Sequence, residues 1–267
     1  MMHYKLFTGL CVAIAVSLSA LPAQAISISK IIDNFDDDSE NVTSAAVGST
    51  SFGTTLEGAA GNIFGSERDA FVVKTSGPTA PVTLRRVAAA AADGGFGSTF
   101  FIDRGPLVNG NVLLQWDGAD GVAPAAFDPL SNLSFLAGPW NVASDLGILL
   151  RLVYGETDQE IQFTLFSSAT SASTHTAIAL PNFSGPGHVD LLIPFASFVQ
   201  SSLAGVVSPV DFTNIRAITM SATSNTAGRD AEIGLLGVYV PEPASASIFG
   251  IGSVVAMATF RRFRRKQ

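Results

Sequence analysis

Cysteine is almost missing from this chain. The single residue of this type, Cys11, lies in an apolar run near the N-terminus, so no disulfide can staple the remainder. Stability has to come from burial of apolar surface, and the roughly 215 residues that follow the run are enough to supply it. Charge is scarce as well, at 14% of residues against 47% hydrophobic, which excludes a disordered chain. Cations are the rarer sign. Residues 26–240 hold 9 Lys or Arg against 21 Asp or Glu, a net of −12. So acidic a segment repels phosphate backbones and anionic bilayers, which excludes nucleic acid as a partner.

Histidine is nearly as rare. Beyond His3 only His175 and His188 occur, without cysteine or a second histidine at ligand spacing, so no zinc site is expected. No Gly-x-Ser-x-Gly elbow, phosphate loop or dinucleotide glycine fingerprint is present. The acidic residues offer many pairs, none singled out as a glycosidase couple. These absences read as a protein that is not an enzyme.

The two ends are richer in signal. Lys5 precedes an apolar run from Leu6 to Ala20, and Ala23-Gln24-Ala25 supplies the small residues a signal peptidase needs. Residues 1–25 thus have the three-part pattern of an export signal, with cleavage after Ala25. An apolar stretch of about 15 residues is too short for a roughly 30 Å hydrocarbon core, which argues against a membrane anchor there.

At the C-terminus, Pro241-Glu242-Pro243 precedes an uncharged stretch, residues 244–260, and the basic group Arg261, Arg262, Arg264, Arg265 and Lys266 closes the chain. The stretch is long enough for a short transmembrane helix, and the cations next to it favour a cytoplasmic end, leaving residues 26–240 outside. The two prolines hold an extended segment directly before the bilayer, open to an enzyme working at its surface. Residues 241–267 resemble the PEP-CTERM sorting signal of bacterial surface proteins. That resemblance implies recognition by an exosortase-type membrane protease and a link to exopolysaccharide or biofilm.

Between the ends, short apolar runs alternate with Gly, Pro, Asn, Asp and Ser clusters, and no window sustains an amphipathic helix or an internal repeat. Residues 161–165 and 189–193 alternate apolar and polar as half-buried strands do. Residues 146–153 are apolar on both faces and read as a central strand, with 215–221 and 232–240 as closing strands. Residues 41–62, rich in Ser, Thr, Gly and Ala, read as a mobile excursion, and residues 88–92 as a turn of helix. One all-β domain over 26–240, an antiparallel β-sandwich, is the expectation.

Several pieces carry a second resemblance: Ile32-Asp33-Asn34-Phe35-Asp36-Asp37, Gly65-Ser66-Glu67-Arg68-Asp69, Trp116-Asp117-Gly118, Ile193-Pro194-Phe195-Ala196-Ser197-Phe198 and Asp211-Phe212-Thr213-Asn214-Ile215. Together they resemble jelly-roll domains of the galactose-binding-like fold and of carbohydrate-binding modules. In that fold the Pro-Phe-x-x-Phe turn ends the penultimate strand, and the Asp-Phe-Thr-Asn turn leads into a core strand. The resemblance also implies one structural Ca²⁺ between the first and last strands. Asp33, Asp36, Asp37, Asp38 and Glu40, completed by Asp230 and Glu232, are the oxygen ligands on offer, and an exposed acidic turn is the alternative.

Trp116 and Trp140 are the only tryptophans. Either ring could stack on a sugar face, with Asp117 accepting hydrogen bonds from hydroxyls. Trp116 follows Val112-Leu113-Leu114, which favours a core role, whereas Trp140 follows Gly138-Pro139 in a turn and is the better candidate for exposure. The expected function is an exported, membrane-tethered, non-catalytic surface or matrix protein with exopolysaccharide as partner. A secreted polysaccharide hydrolase and an adhesin-like protein-binding module are the alternatives.

Overall fold

The computed structural model describes residues 26–36, 41–56, 63–88, 98–224 and 226–241. The export signal, with Ala23 and Ala25, lies outside them, as do Asp37, Asp38, Glu40 and the tail from Glu242 onward with its apolar stretch and arginines. Among the described residues no helix is long and apolar enough to cross a membrane.

Among the described residues, fifteen strands form two sheets. In the first sheet the order is β12 (Val189–Pro194), β8 (Gly147–Gly155), β15 (Ala231–Pro241), β6 (Ser98–Arg104), β5 (Val82–Ala88) and β2 (Asn41–Ser44), with β1 (Ile26–Asp33) also on β15. The second sheet runs β13 (Phe198–Gln200), β10 (Ser171–His175), β9 (Gln159–Ser168), β14 (Ala217–Ser224), β7 (Asn109–Trp116), β4 (Glu67–Ser76) and β3 (Thr50–Leu56). Here the short β11 (Ile178–Ala179) sits on β9. The core takes alternate side chains from both sheets, such as Ile148, Leu150 and Leu152 of β8 against Ile161, Phe163 and Leu165 of β9. Period-two burial of this kind is what packs two sheets face to face. The chain is an antiparallel all-β sandwich.

Three expectations change. Residues 41–56 are not an excursion but β2 and β3, which carry the chain from one sheet to the other through a turn at Gly48 (φ 76°). Buried Lys74 fastens that turn, its Nζ donating to the carbonyls of Ala45 and Ala80 at 3.2 and 2.8 Å and to that of Pro78. β8 is next to the edge rather than central, because β12 covers one side of it. The Pro-Phe-x-x-Phe segment does form a tight 3-10 turn at Phe195–Ser197, but three strands follow β12, so β12 is not the penultimate strand. The Asp211 turn leads into β14 as expected, its carboxylate accepting the backbone N–H of Thr213 at 2.9 Å.

Besides Lys74, two arginines are buried among the described residues, each with its acceptors. Arg68 donates to Asp33 at 2.6 Å with both side chains fully buried, and the indole N–H of Trp116 reaches the same carboxylate oxygen at 2.8 Å. Arg104 of β6 crosses to the second sheet, donating to the carbonyl of Gly110 at 2.9 Å and to Gln159 Oε1 at 2.8 Å. Burial pulls its pKa down to about 10, so it remains charged at neutral pH.

Candidate functional site

Residues directly opposite each other on paired strands point to the same face. Three registers of the first sheet join into one row. Tyr154 of β8 is opposite Glu232 of β15, Glu232 is opposite Phe101 of β6, and Phe101 is opposite Arg85 of β5. Phe100 and Ile102 on either side of Phe101 belong to the core, so the row lies on the outer face. Strict alternation would turn Tyr154 inward with Leu152. The ladder between β8 and β15 is irregular at Glu232, Ile233 and Leu235, and this bulge rotates Tyr154 outward.

The row has two rings and several charges. The guanidinium of Arg85 sits 5.1 Å from the Phe101 ring centre, and the rings of Phe101 and Tyr154 are 6.5 Å apart at 47°. Glu232 accepts the Thr99 hydroxyl. Beside the row, Arg151 holds Asp190 with two hydrogen bonds of 2.7 and 2.8 Å, and His188 Nε2 lies 3.8 Å from the same carboxylate. Gly234 sits among these groups: a Cβ there would come within 3.0 Å of Val153 and 3.9 Å of Arg151 and Thr99. Tyr154 donates to Glu156 at 2.6 Å, and this bond, ahead of burial, raises the phenol to about 12, so the hydroxyl stays protonated. Half-buried rings flanked by fixed charged donors and acceptors can stack on a pyranose face while bonding its hydroxyls.

None of the residues singled out from the sequence as a sugar platform belongs to this face. Trp116 is fully buried and bonded to Asp33, as its apolar neighbours favoured. Asp117 is also buried, with Oδ2 accepting the Ser134 N–H at 2.6 Å. Trp140 is half-buried, packed edge-on against Phe64 with ring centres 4.4 Å apart, so its ring belongs to the core margin.

Of the expected calcium ligands, the described Asp33, Asp36 and Asp230 are not brought together either. Asp33 Oδ1 accepts the Phe35 N–H at 2.8 Å, and Oδ2 accepts from the Arg68 guanidinium and the Trp116 indole. Asp36 bonds to Asn34 in an exposed turn. Asp230 accepts the Arg104 N–H at 2.7 Å. Among the described residues Asp33, Asp36 and Asp230 form no group of converging ligand atoms.

Solved structures similar to this chain include carbohydrate-binding modules. A family 11 module of the cellulosomal cellulase Lic26A-Cel5E of Clostridium thermocellum is 12% identical, over 81% of this chain and 96% of its own, with a TM-score of 0.37. A family 11 module from the same organism, in complex with a β-1,3-1,4-mixed-linked tetrasaccharide, is 14% identical over 80% and 97%, with a TM-score of 0.39. The chain matches no protein-family model and no curated protein.

At the end of the first sheet, Asp230 is held near Asp103, Glu156 and the Arg104 cation. Burial, then these two like charges, raises its pKa to about 6 against the opposing bond from Arg104. A carboxyl raised on folding holds its proton longer in the folded state. Its penalty is therefore absent below the unfolded value near 4, grows through pH 4–6, and is complete above that. Discounted for partial exposure, the penalty is on the order of 2 kcal/mol. Asp230→Asn keeps the acceptor for Arg104 and removes the charge. The variant is expected to melt about 5 °C above the parent at pH 8 and level with it at pH 4, read by circular dichroism in EDTA.

Proposed function

We propose that this chain is a non-catalytic, sugar-binding protein of the cell surface, and that the outer face of the first sheet is its binding site. The observation that carries this reading is the cross-strand row Tyr154–Glu232–Phe101–Arg85, with the Arg151–Asp190 pair beside it. Two aromatic rings and an ordered set of charges on an outward sheet face suit a chain of sugar units better than a small metabolite, which is enclosed in a concave pocket. The adjacent charges of both signs are already paired, so the face meets its ligand with its donors and acceptors oriented.

The expected partner is an exopolysaccharide, and the address follows from the ends of the sequence. The export signal carries the domain out, the apolar stretch over 244–260 tethers it with the C-terminus in the cytoplasm, and an exosortase-type protease reads Pro241-Glu242-Pro243 and the arginines. Two experiments test the reading. In native affinity electrophoresis the protein is expected to be retarded by at least one polysaccharide in a panel of neutral and acidic gels; equal mobility in all of them, against an inert control, overturns the binding assignment. Intact-mass analysis of the mature protein is expected to show loss of residues 1–25 and of the chain beyond Pro243. A mass retaining Arg261–Gln267 overturns the sorting assignment and leaves the sugar site untouched.

A further inference from the structure

On the second sheet a different cluster stands out. Glu67 and Asp69 share the outer face of β4, and one oxygen from each lies within 4.8 Å of a carboxylate oxygen of Asp120 and of one another. Asp69 is opposite Gln115 of β7, and the ladder continues toward Asp117 beside Glu67. Ala70, Val72, Leu114 and Trp116 alternate with these residues and fill the core, so Glu67, Asp69, Gln115 and Asp117 point away from it.

Covering the cluster is the segment that follows β7. Glu67 accepts the N–H of Asp120 and, at 2.9 Å, that of Gly121. Asp117 accepts Ser134 N–H, and Gln115 Nε2 donates to the carbonyl of Pro129 at 3.1 Å. Further along, Leu130, Leu133 and Phe135 pack on Phe166, Ala172 and Ala217, a small apolar patch on the outer face of the same sheet. The segment is therefore pinned over the sheet by carboxylates at one end and by apolar contacts at the other.

Two acceptors remain. Asp117 is 1% exposed and Gln115 is fully buried, yet Asp117 Oδ1 and Gln115 Oε1 have no hydrogen-bond partner among the described residues. The amide nitrogen of Gln115 is fixed by Pro129, so the oxygen is the atom left over. Nor does any described Lys or Arg form an ion pair with Glu67, Asp117 or Asp120. Buried oxygens without donors, beside the converging carboxylates of Glu67 and Asp120, are costly unless a positive ion completes the set. All the candidate ligands are hard oxygen donors, carboxylate and amide carbonyl, the set that suits Ca²⁺.

We propose that Glu67, Asp69 and Asp120, with Asp117 Oδ1 and Gln115 Oε1 behind them, form a Ca²⁺ site that fastens residues 118–136 to the outer face of the second sheet. This site is distinct from the one the sequence suggested at the first and last strands, and it is independent of the sugar-binding face on the other sheet. The ion neutralises the carboxylates that Glu67 and Asp120 bring together and anchors the start of the covering segment.

The test is a calorimetric titration of the chelator-stripped protein with CaCl₂, paired with melting curves in EDTA and in millimolar Ca²⁺. Asp120 is exposed, so Asp120→Asn leaves the fold intact, and Asp36→Asn serves as the comparison at the originally suggested site. The expected result is one ion bound per chain and a higher melting temperature with Ca²⁺. Asp120→Asn weakens the affinity at least tenfold and removes the thermal shift, while Asp36→Asn changes neither. A parent protein that neither binds Ca²⁺ nor shifts, or any other pattern between the two variants, overturns the assignment.

Discussion

Asp33→Ala is expected to destabilise the sandwich by about 3–5 kcal/mol, a large part of the ~5–15 kcal/mol that holds a domain of this size together. The carboxylate is fully buried and serves three donors: the Arg68 guanidinium at 2.6 Å, the Trp116 indole N–H at 2.8 Å and the Phe35 N–H at 2.8 Å. Its removal takes the 2.6 Å carboxylate away from a cation buried between the sheets, beside the Phe35 and Phe100 rings 5.3 and 4.7 Å from the guanidinium carbon. Aromatic faces attract a cation but do not replace a carboxylate, since such a contact gives only about 0.5–2 kcal/mol. Asp33→Asn keeps an acceptor for Trp116 and loses less. The double variant Asp33→Leu with Arg68→Met removes both charges and should recover much of the loss, since burying an ion pair gains little over burying apolar groups of similar size. Urea unfolding checks all three through the midpoint at constant slope. A single Asp33→Ala variant within 1 kcal/mol of the parent would contradict the role given to this pair.

The second large effect is on binding. Tyr154→Ala and Phe101→Ala are each expected to weaken polysaccharide binding about 30-fold or more, the ~2 kcal/mol typical of an aromatic anchor. Each ring is half-buried on the outer face and outside the main core, so the folded state survives the substitution. Arg151→Ala breaks the two bonds to Asp190 and releases that carboxylate, so it should weaken binding less than loss of a ring while altering which sugars are preferred. Trp140→Ala provides the contrast. It removes an edge-on contact with Phe64 at the core margin, so it should lower the melting temperature and leave affinity unchanged. Isothermal titration with the retarding polysaccharide measures each variant. If Trp140→Ala abolishes binding and Tyr154→Ala does not, the site has been placed on the wrong residues.

The sandwich was legible in the sequence because its signal is local. Residues 161–165 alternate and form part of β9, and residues 232–240 form part of β15. The errors came where local signals and long-range pairing disagree. Residues 41–56 are poor in large apolar side chains, yet they pair fully with β5 and β4, because backbone ladders and the buried Lys74 contribute what side-chain burial does not. Tyr154 was missed for a related reason. A two-residue period assigns it to the core side with Leu152, and only the bulge opposite Glu232 turns it out.

The chemistry was harder to read than the fold. Asp33 looked like a calcium ligand because acidic residues crowd around it, but its partner, Arg68, is 35 positions away. Trp116 and Asp117 looked like a sugar-binding pair because they are adjacent. Adjacent residues of a strand point to opposite faces, so the indole faces the core and the carboxylate lies beneath the segment that follows β7. The row Tyr154–Glu232–Phe101–Arg85 draws on four strands separated by up to 147 positions, a juxtaposition that only the registers create.

The most direct test is a map of backbone amide shifts while the retarding oligosaccharide is titrated into isotope-labelled protein. The account predicts that the largest shifts fall on Arg85, Phe101, Arg151, Tyr154 and Glu232, with the second sheet silent. Saturable shifts centred on the second sheet, or on the loops around Trp140, would contradict it.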